Sequence, residues 1–341
     1  MTPKVSATAV AVPEHRITQK EIIEISGKIF GKNPHLERLL KIFENAGVAE
    51  RYFSFPIDYY LNGRTFAQRN RDYIEQAKKL GARVIEEALE RSGSSAREID
   101  QFFFVTTTGL ATPSIEAMLA TKLGFRSDVK RYPLFGLGCA GGAASLGRAA
   151  ESFSGKTLIL SVELCGQTFL NRDVSVSNMV GAALFGEGAA AVILDGEAPG
   201  PEIISWGSEI FEGTEEVMGW EFLDEGFKLV LSQSVPEAIR THVAPALKRF
   251  LDRNHFSLEG ISHFLLHPGG AKVLDAYQSS LGADLQWTRK CLRNFGNLSS
   301  ASVFFILHDL LASGTAQKGD LGLLVSVGPG FAMEASLLRW G

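Results

Sequence analysis

Apolar residues recur at helical spacing through YIEQAKKLGARVIEEALERSG, residues 73–93. Ala77, Leu80, Val84 and Ala88 fall on one face with Ile85 beside them, and Gly93 follows the last turn. This spacing predicts an amphipathic helix closed by a glycine cap. IDQFFFVTTTG, TLILSVELCG (157–166) and GAAAVILDG (188–196) follow a different pattern. Their apolar runs are short and unbroken and are bounded by turn residues, which predicts buried strands. VPEAIRTHVAPALKRFLDRNHFS returns to helical spacing, with a kink expected at Pro245. ISHFLLHPGG reads as a strand running into a glycine turn. Near-continuously apolar strands that alternate with amphipathic helices argue for an α/β protein whose sheets are covered on both faces.

Two stretches are echoed later in the chain. SSAREIDQFFFVTTTG parallels SLEGISHFLLHPGG, and GEGAAAVIL parallels GPGFAMEASLL. The echoes predict two similar halves, residues 1–198 and 199–341, meeting at DGEAPGPE (195–202). Among 341 residues, 45% are hydrophobic and 21% charged, which suits a soluble enzyme. A net charge of −4 without blocks of like charge argues against nucleic acid or an anionic membrane as partner. Three cysteines, Cys139, Cys165 and Cys291, make no disulfide framework and no CxxC pair, so a reducing cytoplasm is expected. No signal-peptide pattern opens the chain, and Gly and Glu interrupt its most apolar run before it reaches the length of a membrane span. No metal-ligand spacing is present, so no metal is expected.

Three residues carry candidate chemistry. Cys139, in FGLGCAGGAASLGRA, stands between strand-like KRYPLFG and an Ala-rich helix expected to close at Gly155. At a helix N-terminus, backbone N–H groups and the dipole favour a thiolate. Gly141 and Gly142 weaken that first turn, so another backbone or a substrate is expected to come close. The plain alternative is a small residue filling a tight helix–sheet contact. His267 ends an apolar strand before Pro268, Gly269 and Gly270, where it is either structural or a base. His242, His255 and His263 read as surface residues, and His308 as a helix residue with a local hydrogen bond. Asn297, in NFGNLSSASVFFILHDLL, is either a helix cap or an amide donor. Together the three supply a nucleophile, a base and an amide, each displayed at an element terminus. A thiolate–imidazolium pair would activate the sulfur, and His267 and Asn297 would both donate to an oxygen gaining negative charge.

GLGCAGG, HPGG, FGNLSSAS and VGPGF, in that order, resemble the type III polyketide synthases, chalcone and stilbene synthase-like enzymes of the thiolase superfamily. The resemblance runs essentially from end to end, and GLGCAGGAA and MGW look like the bacterial branch. It implies a five-layered αβαβα thiolase-like fold of two similar halves, working as a homodimer. The implied reaction is iterative decarboxylative Claisen condensation of malonyl-CoA onto an acyl-CoA starter, without carrier protein or cofactor, giving a cyclised pyrone, resorcinol or related product. By motif, Cys139 is the acylated nucleophile and His267 and Asn297 complete the triad. Phe185 matches a gatekeeper aromatic, against the alternative of core packing. Thr107, Thr108, Cys165, Thr168, Gly181 and Ser299 match cavity positions. Arg38 and Lys41 match coenzyme A-binding cations, Asn45 stands where a third is often found, and Gly269 and Gly270 would let the pantetheine arm approach. Leu229, Trp220 and Thr112 depart from the plant pattern and imply a cavity unlike that of a chalcone synthase; Leu229 and Cys165, with the bacterial look, favour an apolar cavity and an aliphatic starter. The rival readings are an initiating ketoacyl-carrier-protein synthase, against which HPGG and GPGF speak, and a catalytically silent partner subunit.

Overall fold

The computed structural model describes residues 2–30 and 36–341, without the side chains of residues 28–30 and 36–39. Its main sheet has nine strands: β1 (Lys4–Ala11), β2 (Gln101–Val105), β3 (Lys130–Leu134), β4 (Thr157–Leu164), β5 (Glu187–Asp195), β6 (Glu202–Ile210), β7 (His263–Leu266), β8 (Leu321–Gly328) and β9 (Ala332–Arg339). The spatial order is β7-β8-β9-β6-β1-β5-β4-β2-β3. β2 runs parallel to β4, β4 antiparallel to β5, and β5 antiparallel to β1. The same sequence of directions recurs in β7, β8, β9 and β6. Both echoed sequence pairs therefore occupy equivalent strands. The two half-sheets join at Lys4 and Glu202, through Val5 N donating to Pro201 O and Ile203 N donating to Pro3 O, each at 2.9 Å.

The helices that matter for the site are α1 (Phe66–Ser92), α2 (Gly141–Glu151), α3 (Val176–Leu184), α4 (Ala244–Arg253), α5 (Ala271–Leu281) and α6 (Ser302–Ser313). Successive strand residues point to opposite faces, and this alternation builds three cores. Leu158, Leu160 and Val162 of β4 pack on Ala77, Leu80, Val84 and Ile85 of α1. Ile159 of β4, with Leu265 of β7 and Leu324 of β8, faces the central pair α2 and α6. Leu266, Leu323 and Val325 turn outward to α4 and α5. The result is five layers: helix, half-sheet, helix pair, half-sheet, helix. No helix among the described residues is long and apolar enough to cross a membrane.

Local chemistry accounts for the departures from pattern. α1 begins at Phe66, ahead of its apolar stripe, because Thr65 and Gln68 form a reciprocal capping box; it ends at Gly93 in the left-handed conformation, as the sequence predicts. At Pro245 the missing N–H is absorbed by a widened π-type turn over Ile239–Val243. α2 closes at Ser152 and not at Gly155, which instead passes against Asp100, where a Cβ would lie 2.1 Å from Oδ2. His308 bonds Thr8 Oγ1 from across the fold at 2.9 Å, so its hydrogen bond is not local. His263 is partly buried and pairs with Asp320 at 2.8 Å, in place of the expected surface position.

Candidate active site

Cys139 sits in the tight turn Gly138–Ala140 that leads directly into α2. The glycines around it make room for neighbouring chain. A Cβ on Gly142 would lie 2.1 Å from Ser300 O, and one on Gly141 would lie 2.6 Å from Val105 Cγ1. Gly138, at φ +50°, faces the Pro329 ring, with a Cβ there 2.4 Å from Cδ. The backbone that Gly142 makes room for is the turn Ser299–Ala301 that leads into α6, so the N-termini of α2 and α6 converge.

That convergence brings Asn297 to the sulfur. Asn297 Oδ1 accepts from Ser299 N at 2.8 Å, a turn that fixes the amide and leaves Nδ2 for another partner. Its backbone is pinned to the end of α3, with Asn297 N donating to Leu184 O at 2.8 Å and Gly186 N donating to Asn297 O at 3.0 Å. His267 follows β7 directly, and its N–H continues the ladder to Val325 O at 2.8 Å. Its ring is buried, and Nδ1 has no hydrogen-bond partner among the described residues. Cys139, His267 and Asn297, from three separate elements, line one cavity of about 850 Å³.

Burial governs the charges. It pushes the Cys139 thiol up to about 12, reinforced by nearby Glu163 and opposed by the Ser299 and Asn297 side chains. It pulls the His267 imidazole down to about 3. Desolvation thus works against a charged pair at rest by favouring the neutral form of each group. Charge separation passes one proton from sulfur to ring, a joint step that leaves the net charge of the cavity unchanged.

The same cavity is lined by Thr107, Thr108, Cys165, Phe185, Trp220, Leu229 and Ser299. Trp220 and Leu229 face each other across the hairpin formed by Met218–Leu223 and Gly226–Leu231, and Trp220 Nε1 donates to Thr107 Oγ1 at 3.1 Å. Thr168 and Gly181 lie elsewhere, on a smaller, mostly apolar cavity of about 80 Å³ beyond Cys165, Phe185, Trp220 and Leu229, which border both spaces. Gly181 has no room for a side chain, since a Cβ would stand 2.9 Å from Leu229 Cδ2. Lys41, Gly269 and Gly270 line the larger cavity, together with Asn45. The Arg38 side chain lies outside the described residues. Thr112 is exposed, outside both cavities of its own chain. No cluster of three His, Cys, Asp or Glu side chains suited to a metal exists among the described residues.

Sequence reading missed two groups here. Lys272, at the start of α5, lines the larger cavity with Lys41. Glu163, fully buried, accepts from Thr107 N at 3.1 Å, Thr108 Oγ1 at 2.9 Å and the Ser300 hydroxyl. Burial raises its carboxyl to about 7. The available signal was a lone acid inside an otherwise apolar strand, TLILSVEL.

Comparison with known proteins adds an independent line. Residues 4–199 match the family model for chalcone and stilbene synthases, N-terminal domain, and residues 202–340 match its C-terminal counterpart. The chain is 37% identical to a 1,3,6,8-tetrahydroxynaphthalene synthase of Streptomyces peucetius subsp. caesius, covering 98% of this chain and 93% of that protein. It is 28% identical to a phloroglucinol synthase of Pseudomonas fluorescens, covering 97% of each. Among solved structures, the 1,3,6,8-tetrahydroxynaphthalene synthase of Streptomyces coelicolor A3(2), described as a bacterial type III polyketide synthase, superposes with a TM-score of 0.95 at 31% identity. That match covers 100% of this chain and 99% of the other.

Proposed function

The chain belongs to the chalcone and stilbene synthase family, the type III polyketide synthases, and on that premise we propose that Cys139, His267 and Asn297 carry its iterative decarboxylative condensation. The observation that carries this reading is their presence on the wall of one cavity. His267 takes the Cys139 proton as sulfur attacks the starter thioester, and returns it to the departing coenzyme A thiolate. Malonyl-CoA then loses carbon dioxide. The enolate oxygen is held by the ring N–H of His267 and by Asn297 Nδ2, the end of the amide left free by the Ser299 contact. Its carbon attacks the acyl-cysteine carbonyl and expels the sulfur, and the lengthened thioester can reload. Lys41, Lys272 and, by motif, Arg38 supply positive charge for the coenzyme A phosphates, with Gly269 and Gly270 beside the arm.

The starter we propose is a linear aliphatic acyl-CoA. The smaller cavity beyond Cys165 is lined by Ile22, Ile25, Phe53 and Ile57, and only Cys165, Phe185, Trp220 and Leu229 stand between it and the larger one. A homodimer is proposed on Leu110 and Phe135, both exposed, which follow the C-terminal ends of the paired strands β2 and β3.

The decisive experiment supplies radiolabelled malonyl-CoA to the wild-type enzyme and to single variants. Cys139→Ala is expected to abolish extension yet still release carbon dioxide, Asn297→Ala to slow decarboxylation more than loading, and His267→Ala to suppress both. Equal loss of loading and decarboxylation in Asn297→Ala would remove its donor role. Strict dependence on a malonyl-carrier protein would replace this reading with the ketoacyl-carrier-protein synthase alternative.

A further inference from the structure

We infer that Arg51 is a positioning residue for this reaction, a buried guanidinium without a carboxylate partner among the described residues, which clamps the C-terminal end of α3 and so fixes Phe185 and Asn297 relative to each other. The inference rests on the proposed role of Asn297 as donor to the enolate. Arg51 lies in the short strand Glu50–Phe53 and is wholly buried. Its Nη1 donates to Ala182 O at 2.6 Å and Phe185 O at 3.0 Å, and its Nη2 donates to Gln19 Oε1 at 2.7 Å. Gln19 Nε2 in turn donates to Ala183 O at 3.1 Å and to Phe43 O at 2.8 Å. Leu184 O is taken by Asn297 N. A helix cannot satisfy its own last carbonyls. Here the four from Ala182 to Phe185 are closed by Arg51, Gln19 and Asn297.

The charge fits the negative end of the helix dipole. No carboxylate among the described residues acts on it, Nε has no partner, and its other visible support is the Phe53 ring at 5.9 Å. Burying the cation costs desolvation, which its hydrogen bonds to Ala182 O, Phe185 O and Gln19 Oε1 offset. What the planar fork offers is simultaneous fixed-angle bonds to two carbonyls and an amide, which a point charge on a flexible stem cannot reproduce.

The arm also touches the catalytic segment. Gly296, at φ +72°, precedes Asn297, and a Cβ there would lie 2.9 Å from Arg51 Cδ and 2.4 Å from Leu184 O. Arg51 therefore packs flush against the segment that bears the amide while it holds the carbonyl of the ring-bearing residue opposite. Displacing the guanidinium loosens both sides of the pairing between Phe185 and Asn297.

The test compares R51M and R51K with wild type and N297A. Cys139 acylation by starter is read by intact-protein mass spectrometry, malonyl-CoA decarboxylation by carbon dioxide release, and folding by thermal melting. In folded R51M, acylation stays within about 2-fold while decarboxylation kcat falls about 10- to 100-fold with KM little changed, the cost of a misplaced donor. R51K falls between, since it keeps the charge and loses the fork. Loading and decarboxylation declining in step, or both staying at wild-type rates, would overturn the inference. If R51M does not fold, Q19M decides, because it frees one arm of the clamp and must show the same split at smaller size. A normal decarboxylation rate in N297A would sink the parent reading, whereas a slow N297A beside a normal R51M sinks only the role of Arg51.

Discussion

At the scale of single residues, loss of water decides the state of nearly every group that matters. Burial favours the neutral forms of Cys139 and His267, which puts the activation of the sulfur on proton transfer to the ring. His267→Ala should slow iodoacetamide alkylation of Cys139 at pH 7 by about 100-fold, the lower end for removal of a general base; an unchanged rate would show that the sulfur loses its proton elsewhere. Burial raises the Glu163 carboxyl as it raises the Cys139 thiol. Unfolded, its carboxyl ionises near 4.5; folded, near about 7. Between these values the folded chain binds more protons, so stability from this group is complete below pH 4.5 and is lost as pH rises through about 7. Glu163→Gln removes that titration while keeping a side chain that can hydrogen-bond to Thr107 and Thr108. The loss of unfolding free energy between pH 5 and pH 8, measured by urea melts, should shrink by about 1–3 kcal/mol.

At the scale of elements, close approach does the positioning. α2 and α6 meet with no space for a methyl group at Gly142, whose Cβ would fall 2.1 Å from Ser300 O. Gly142→Ala should lower stability by about 1–3 kcal/mol through overpacking, despite the better helix propensity of Ala. Because the shift separates Cys139 from Asn297, condensation should fall further than the folded fraction does; activity that tracks the folded fraction would mean the spacing is not critical. The hairpin carrying Trp220 and Leu229 partitions the two cavities. Trp220→Ala joins them and should raise kcat/KM for longer acyl-CoA starters relative to shorter ones. An unchanged ratio in a starter panel would show that the indole is not the partition.

At the scale of the whole molecule, the repeated strand order sets the division of labour. Cys139 comes from the first half, before α2, and His267 and Asn297 come from the second, after β7 and before α6. The site exists only because the halves close over α2 and α6. Phe135→Asp places a charge in the proposed contact face and should shift the protein toward monomer in light scattering; a wild-type chain that is monomeric at micromolar concentration would end the dimer proposal.

The chain's own pattern was enough to determine the α/β class, the two echoing halves, the stripe of α1 and the glycine turns that display Cys139, His267 and Asn297, because each depends on near neighbours along the backbone. It also announced that something must approach Gly141 and Gly142, without saying what. Only tertiary structure decided that Ser300 is that neighbour, that Thr168 and Gly181 belong to a second cavity, and that Glu163 and Arg51 stand behind the site. Those facts depend on groups far apart in sequence sharing a dry interior, where desolvation and close packing act on distances that periodicity does not encode.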